Sequence, residues 1–188
     1  MNKNLPSIDI IMPNFNSSAC LDETLNSVFN QTYKNWKLII IDDNSDEKTK
    51  KILRRINNEK IKIVWLSKNK GQGFCRNLAL RNHCKSDYIA FLDADDLWDK
   101  NKLEKQIDFM IKNKYEFTYT YYEVLKTEKN NLKKIKTPLK FNFQSFTKNT
   151  SIATSSMIIK KNLAKTSKFT NAKSCDDYYY KCCLLNKT

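Results

Sequence analysis

Apolar and polar positions change period along this chain, and each change marks an element. Ile8–Met12 is a short apolar run closed by Pro13, the pattern of a buried parallel strand running into a loop. Leu21, Leu25, Val28 and Phe29 then fall at i, i+4, i+7 and i+8, one face of a helix. Leu38–Ile41 reads as a second buried strand, stopped by Asp42-Asp43-Asn44-Ser45. A helix over about 46–56 gathers Ile52, Leu53 and Ile56, and Ile61–Leu66 reads as a third strand. Ser67–Gly73 reads as a loop, Gly73–Asn82 as a helix, and Tyr88–Leu92 as a fourth strand that runs into Asp93-Ala94-Asp95-Asp96. Such alternation predicts an α/β fold with a mostly parallel central sheet and helices on both faces.

Beyond Asp99 the spacing of Leu103, Ile107, Met110 and Ile111 predicts a helix. Glu116–Leu125, rich in Tyr, Phe, Thr and Val, reads as a strand. Residues 126–150 are Lys- and Asn-rich with weak periodicity and read as a long loop or hairpin. Ser155–Ile159 reads as a short strand and Asp176–Leu185 as a terminal helix. Neither a repeat nor a composition break divides the chain, so one domain over residues 1–188 is expected.

Composition narrows the class. At 40% hydrophobic and 12% aromatic, the 188 residues do not read as disordered. No apolar run approaches the ~18–20 residues of a membrane span, and residues 1–13 lack the apolar core of a signal peptide. A cytoplasmic location follows as the expectation. The six cysteines form no C-x-x-C pair and His83 stands alone, so zinc lacks ligands in a workable spacing and reduced thiols are expected. Charge is uneven: residues 1–100 carry 16 basic and 13 acidic side chains, net +3, against 18 and 7, net +11, over 101–188. A basic half draws acidic partners such as nucleic acid or anionic lipid. However, 30 of the 34 basic residues are Lys and Asn reaches 22, which reads equally as a compositional bias rather than a phosphate surface built on Arg.

Candidate chemistry lies at strand ends, where open parallel sheets bind ligands. Three polar clusters follow predicted strands: Pro13-Asn14-Phe15-Asn16, Asp42-Asp43-Asn44-Ser45 and Asp93-Ala94-Asp95-Asp96. One acidic cluster is often a turn and helix cap; two on one sheet edge repel each other unless a cation or ligand intervenes. In the D-x-D motif, Asp93 and Asp95 leave a strand at i and i+2 and so face one point. Paired hard oxygens of this kind suit Mg²⁺ or Mn²⁺ bound together with substrate phosphates. The chain's two glycines, where average usage predicts about 13, both fall in Asn69-Lys70-Gly71-Gln72-Gly73. They imply a special backbone angle or a close backbone approach, unless the loop is a plain turn. Arg76, on the helix that starts there, is placed either to reach a diphosphate or to sit in solvent. Asp176-Asp177 opens the last helix, as dipole-matched caps or as a base for an acceptor hydroxyl.

These blocks resemble family 2 glycosyltransferases of the GT-A fold along nearly the whole chain. The resemblance rests on Ile10 to Asn16 (IIMPNFN), Ser27 to Tyr33 (SVFNQTY), Leu38 to Asp46 (LIIIDDNSD), Gly71 to Asn77 (GQGFCRN) and Tyr88 to Trp98 (YIAFLDADDLW) in that order. It implies inverting transfer of a sugar from a nucleotide-diphosphate donor, a UDP-sugar foremost, to a glycan or lipid-linked acceptor in surface polysaccharide or glycolipid synthesis. It places the loop at Pro13, Asn14, Phe15 and Asn16, with Asp43 and Gly71, on the donor side. Arg76 and Asp93 lie along the nucleotide, Asp95 is the main ligand of Mn²⁺ or Mg²⁺, and Asp177 is the base. Asp176 stands where the family usually has Glu, and Lys181-Cys182-Cys183 where it tends toward Trp and Arg. The expected division is a donor half over 1–100 and an acceptor half over 101–188, left incomplete by a chain end eleven residues after Asp177. Peripheral contact with an anionic inner membrane face is expected, and no nucleic-acid partner. The alternatives are a truncated remnant that binds donor without transfer, or a basic nucleic-acid-binding module.

Overall fold

The computed structural model describes residues 5–125, 132–170 and 175–187; within the segment read as a loop or hairpin, residues 126–131 lie outside the described residues. The first apolar run forms β1 (Ile8–Asn14), two residues longer than its pattern, and passes through Pro13. Leu92 N donates to Ile11 O, so backbone groups at odd positions of β1 point toward the neighbouring strand. Pro13 comes after the last pair on that side, Ile11–Phe91, where no N–H is needed.

The next elements follow in the predicted order: α1 (Leu21–Phe29), β2 (Trp36–Asp42), α2 (Glu47–Leu53), β3 (Ile61–Trp65), α3 (Gln72–Asn82), β4 (Tyr88–Phe91) and α4 (Lys102–Asn113). The helix expected over 46–56 is shorter. Asp46 caps it by accepting from Thr49 N at 2.8 Å, and beyond Leu53 the pairing tightens from the Arg54 N–Lys50 O bond to i−3 bonds at Arg55 and Ile56. Later come β5 (Phe117–Thr118), β6 (Tyr122–Leu125), β7 (Leu132–Ile135), α5 (Phe143–Lys148), β8 (Ile158–Lys160), α6 (Lys161–Ala164) and α7 (Asp176–Leu185).

Among the described residues six strands make one sheet in the order β3-β2-β1-β4-β8-β5. β1 pairs in parallel with β2 and β4, and β2 with β3, whereas β8 runs antiparallel to both β4 and β5. The expected mostly parallel sheet is therefore mixed at one end. Period-two alternation sorts its two faces. Ile8, Ile10 and Met12 pack with Leu21, Leu25, Val28, Leu103 and Ile107 on one side. Ile11, Ile39 and Ile41 pack with Cys75, Ala79, Tyr180 and Leu184 on the other. Helices cover both faces, α1 and α4 against α3 and α7.

Three expectations in the second half need correction. Glu116–Leu125 is two strands: β5 joins the main sheet, while β6 forms a separate antiparallel hairpin with β7. Tyr119 stands at the break, packed on Phe117 and Phe141 with its hydroxyl on Pro138 O at 2.8 Å, so this stretch serves side-chain packing rather than the ladder. The loop-like 126–150 segment also contains α5. Its capping box pairs Asn142 and Ser145 reciprocally, at 2.8 and 3.0 Å, and its Phe146 is fully buried. Ser155–Ile159 begins as a 3-10 turn, Thr154–Ser156, before β8. Ser155 accepts from Asp93 N through its hydroxyl at 2.9 Å and from Trp98 Nε1 through its carbonyl at 2.8 Å, and these bonds hold it out of a ladder.

The two glycines have different reasons. Gly71 has φ +85°, a conformation L side chains rarely adopt. At Gly73 an added Cβ would lie 2.3 Å from Thr170 O and 3.0 Å from Asp176 Oδ2, so α3 approaches the later chain too closely for any side chain. Gly73→Ala is expected to destabilise the protein by about 1–3 kcal/mol in urea denaturation. An unchanged denaturation midpoint would contradict this packing.

Candidate functional site

The sheet order reverses direction between β1 and β4: β2 and β3 follow on one side of β1, and β4 on the other. Loops leaving the carboxyl ends of strands part at such a crossover and leave a crevice. Here it is an open cleft of about 250 Å³. Pro13 to Ser17 form one wall, Asp93 to Asp95 the facing wall, and Cys20, Asp43 and Gln72 complete the lining.

Polar side chains hold the first wall. Asn14 is 1% exposed, and its Nδ2 donates to Asp42 Oδ1 at 2.8 Å and Ser45 Oγ at 3.2 Å. Its Oδ1 accepts from the Ser17 hydroxyl. Asn16 sits at φ 51°, a left-handed conformation that Asn tolerates, with its Oδ1 accepting from Asp46 N at 2.7 Å. These bonds keep the β1 and β2 loops together and leave Phe15 half-exposed over the cleft. Asp43 ties in the glycine loop: its two carboxylate oxygens accept from Lys70 N and Gly71 N, both at 2.7 Å. Gly71 therefore shapes the site through its backbone and does not itself line the cleft.

Behind the facing wall lies Arg76. It is 1% exposed, which removes the solvent-exposed alternative. Nη2 donates to Asp93 Oδ1 at 2.5 Å and to Gln72 Oε1 at 3.1 Å, and Nη1 donates to Asp176 Oδ2 at 2.9 Å. Gln72 Nε2 closes the ring on Asp176 Oδ1 at 3.0 Å. The guanidinium also lies 5.2 Å from the centre of the Phe169 ring. Burial works against its charge, yet the Asp93 and Asp176 carboxylates hold it protonated more firmly than an ordinary arginine.

The two acids that open α7 have separate surroundings. Asp176 is 1% exposed, and burial pushes its carboxyl up against the pull of Arg76. Asp177 remains partly exposed. Burial would raise it too, but Lys181 and the Thr154 hydroxyl prevail and hold it below the usual carboxylate range. Neither acid makes a side-chain cap, since Cys175 is the capping residue. Asp177 does not line the cleft with Asp93 and Asp95; it stands beyond them, next to the 3-10 turn that carries Ser155.

Asp93 and Asp95 both reach the cleft, and Asp95 makes no hydrogen bond or ion pair among the described residues. No three His, Cys, Asp or Glu side chains converge there as a ready cation cage, again among the described residues. The donor set fits Mg²⁺ or Mn²⁺ held by one or two carboxylates, with ligand oxygens completing the shell. Gln72, Ser17, Thr154, Ser155 and Lys181 are site residues that the sequence reading did not single out. Gln72 had a signal in its place between the two glycines, and Lys181 in its i,i+4 spacing from Asp177 and its departure from the family's sequence. Arg76→Met would strand the buried Asp176 carboxylate and is expected to cost about 3–5 kcal/mol in urea denaturation. A loss within the scatter of surface substitutions would contradict the role of this pair.

Among the described residues, no helix is long and apolar enough to cross a membrane. Residues 9–167 match the family described as Glycosyl transferase family 2. TuaG of Bacillus subtilis, a glycosyltransferase named for teichuronic acid biosynthesis, is 35% identical over 157 residues, 82% of this chain and 62% of that protein. The UDP-Glc:alpha-D-GlcNAc-diphosphoundecaprenol beta-1,3-glucosyltransferase WfgD of Escherichia coli is 33% identical over 172 residues, 92% of this chain and 67% of its own length. The crystal structure of S. aureus TarS in complex with UDP-GlcNAc matches with a TM-score of 0.80 at 20% identity, covering 95% of this chain and 53% of that one. This chain thus spans about two-thirds of the curated relatives and about half of the solved neighbour. A match running from β1 past α6, on a sheet of the same architecture, leads to one conclusion: the chain belongs to glycosyl transferase family 2 and has the GT-A fold.

Proposed function

We propose that this protein transfers a sugar, with inversion, from a nucleotide-diphosphate donor to a hydroxyl of a glycan or lipid-linked acceptor in polysaccharide or glycolipid synthesis. The observation that carries this reading is the meeting of the Pro13–Ser17 loop with the Asp93 and Asp95 carboxylates across one cleft. Residues 1–100 would bind the donor and 101–188 would contribute to the acceptor side. The printed names of relatives support a UDP-sugar: WfgD uses UDP-Glc, and TarS was crystallised with UDP-GlcNAc.

Pro13, Asn14, Phe15, Asn16 and Asp43 would take the base and ribose, with Gly71 holding Asp43 in place. Arg76 would steady Asp93 along the nucleotide. Asp95, with Asp93, would hold Mg²⁺ or Mn²⁺, whose charge would offset that of the departing diphosphate. Asp177 would act as the general base. Its carboxylate takes the proton of the acceptor hydroxyl, and the acceptor oxygen forms its bond to the anomeric carbon. The bond from that carbon to the phosphate oxygen breaks, and its electron pair leaves with the nucleotide diphosphate. Attack opposite the leaving group inverts the anomeric centre. Two neighbouring acids driven apart in acidity suit this assignment, because the one held low remains ionised and able to accept a proton.

One pair of variants separates binding from chemistry. Asp95→Ala is expected to abolish the cation-dependent part of UDP binding in calorimetry. Asp177→Asn should keep that binding and lower kcat by about 10²–10⁴-fold. UDP affinity indifferent to Mg²⁺ and Mn²⁺, or full turnover in Asp177→Asn, would sink the reading.

The net +11 of residues 101–188 supports a second element of the proposal, peripheral contact with anionic membrane where lipid-linked acceptors lie. Co-sedimentation with vesicles should rise with their phosphatidylglycerol content and fall with salt. Binding independent of lipid charge would remove this element.

A further inference from the structure

Asp177 has two carboxylate oxygens, and the fold uses one. Oδ2 accepts from Thr154 Oγ1 at 2.7 Å and from Lys181 Nζ, whereas Oδ1 takes no hydrogen bond among the described residues. Lys181 stands one helical turn along α7 from Asp177 and is 4% exposed. Its Nζ also donates to Ile152 O at 2.7 Å. A surface lysine swings through solvent and contributes little. This ammonium is fixed between a carbonyl and a carboxylate, within the Lys181-Cys182-Cys183 stretch that departs from the Trp and Arg of the resemblance.

We propose that Lys181 is a positioning residue: with Thr154 it pins Oδ2 of Asp177 and leaves Oδ1 to receive the acceptor proton. The proposal rests on the reading of Asp177 as the base. A carboxylate free to rotate about its last torsion would present either oxygen in a spread of directions. With one oxygen anchored by two donors from different elements, the other has a set direction, which is what proton transfer within hydrogen-bond reach requires.

The same contact fixes the sign of the pH dependence. The charged groups around the pair are Arg76 from α3, Asp93 from the β4 loop and Asp176 on α7 itself. Burial pushes Lys181 down and would push Asp177 up, and their mutual attraction opposes both. A base must be ionised to work, so a carboxylate held low keeps the acid limb of kcat/KM at low pH. Without the ammonium, only the Thr154 hydroxyl and the more distant Arg76 oppose burial at Asp177, and the acid limb moves to higher pH.

The test compares the wild-type chain with Lys181→Met, Lys181→Arg and Thr154→Val. It uses two readouts: a carbon-13 NMR titration of the Asp177 carboxyl, and the pH profile of transfer from a UDP-sugar. In Lys181→Met the titration should move to higher pH. Its kcat/KM should begin to fall at a higher pH than that of the wild type as the medium is acidified. Lys181→Arg should restore most of both. If melting curves show that Lys181→Met does not fold, Thr154→Val carries the test, with a smaller movement in the same direction. An Asp177 titration unmoved in the folded variants overturns the proposal, as does an acid limb that stays put while the titration moves. Absence of any transfer by the wild type overturns the transferase reading and the positioning role with it, and is told apart because the titration still reports the Lys181–Asp177 contact.

Discussion

One buried guanidinium joins the parts of the molecule that the proposed reaction must bring together. Arg76 on α3 donates to Asp93, which leaves β4, and to Asp176, which opens α7. A charge this deeply buried is costly unless it is paired, and here two carboxylates and Gln72 take its two terminal nitrogens, while Nε has no partner among the described residues. The D-x-D wall of the cleft and the helix carrying Asp177 therefore share one anchor. Gly73 lets this happen, because only a residue without a side chain allows Thr170 and Asp176 so close to α3.

That anchor divides the adjacent acids of α7 by role. Asp176 turns inward and belongs to the buried cluster, and the next residue on the helix points elsewhere, so Asp177 is left partly exposed with one oxygen unengaged. The sheet supplies the other half of the arrangement. Its crossover between β1 and β4 opens the crevice, and the hydrogen bonds of Asn14, Asn16 and Asp43 give the walls a shape without any ligand present. The proposed binding and chemistry thereby fall on the strand-end loops and on helix α7, which rest on common supports.

Local pattern was enough to place most elements of the first hundred residues. Each apolar run of the first hundred residues became a strand or helix near its expected bounds, because burial on both sheet faces is written directly into residue type. Strand-end loops with Asn, Asp and Gly likewise announced the cleft. The second half was less legible. β5 is two residues long and owes its place to β8, α5 depends on a capping box inside a polar stretch, and the reversed direction of β8 has no local signature. Contacts across the site were the least visible. Arg76 meets a partner 100 residues away, and Asp177 meets Thr154 only because α7 packs beside the 3-10 turn, whereas its bond to Lys181 is local to one turn of α7. No spacing rule reaches across 100 residues, which is why Arg76 read as exposed or ligand-facing with equal ease; Lys181 lies at i,i+4 from Asp177 but was noticed only as a departure from the family's sequence.

On the proposed function, the crevice between β1 and β4 holds the donor's nucleotide diphosphate. Hydrogen–deuterium exchange of the chain with and without UDP and Mn²⁺ tests it most directly, since it reads location independently of turnover. A diphosphate seated there slows exchange at residues 15–17 and 94–96 and leaves the β6–β7 hairpin unchanged. Protection confined to that hairpin, or no protection at saturating UDP, would contradict it.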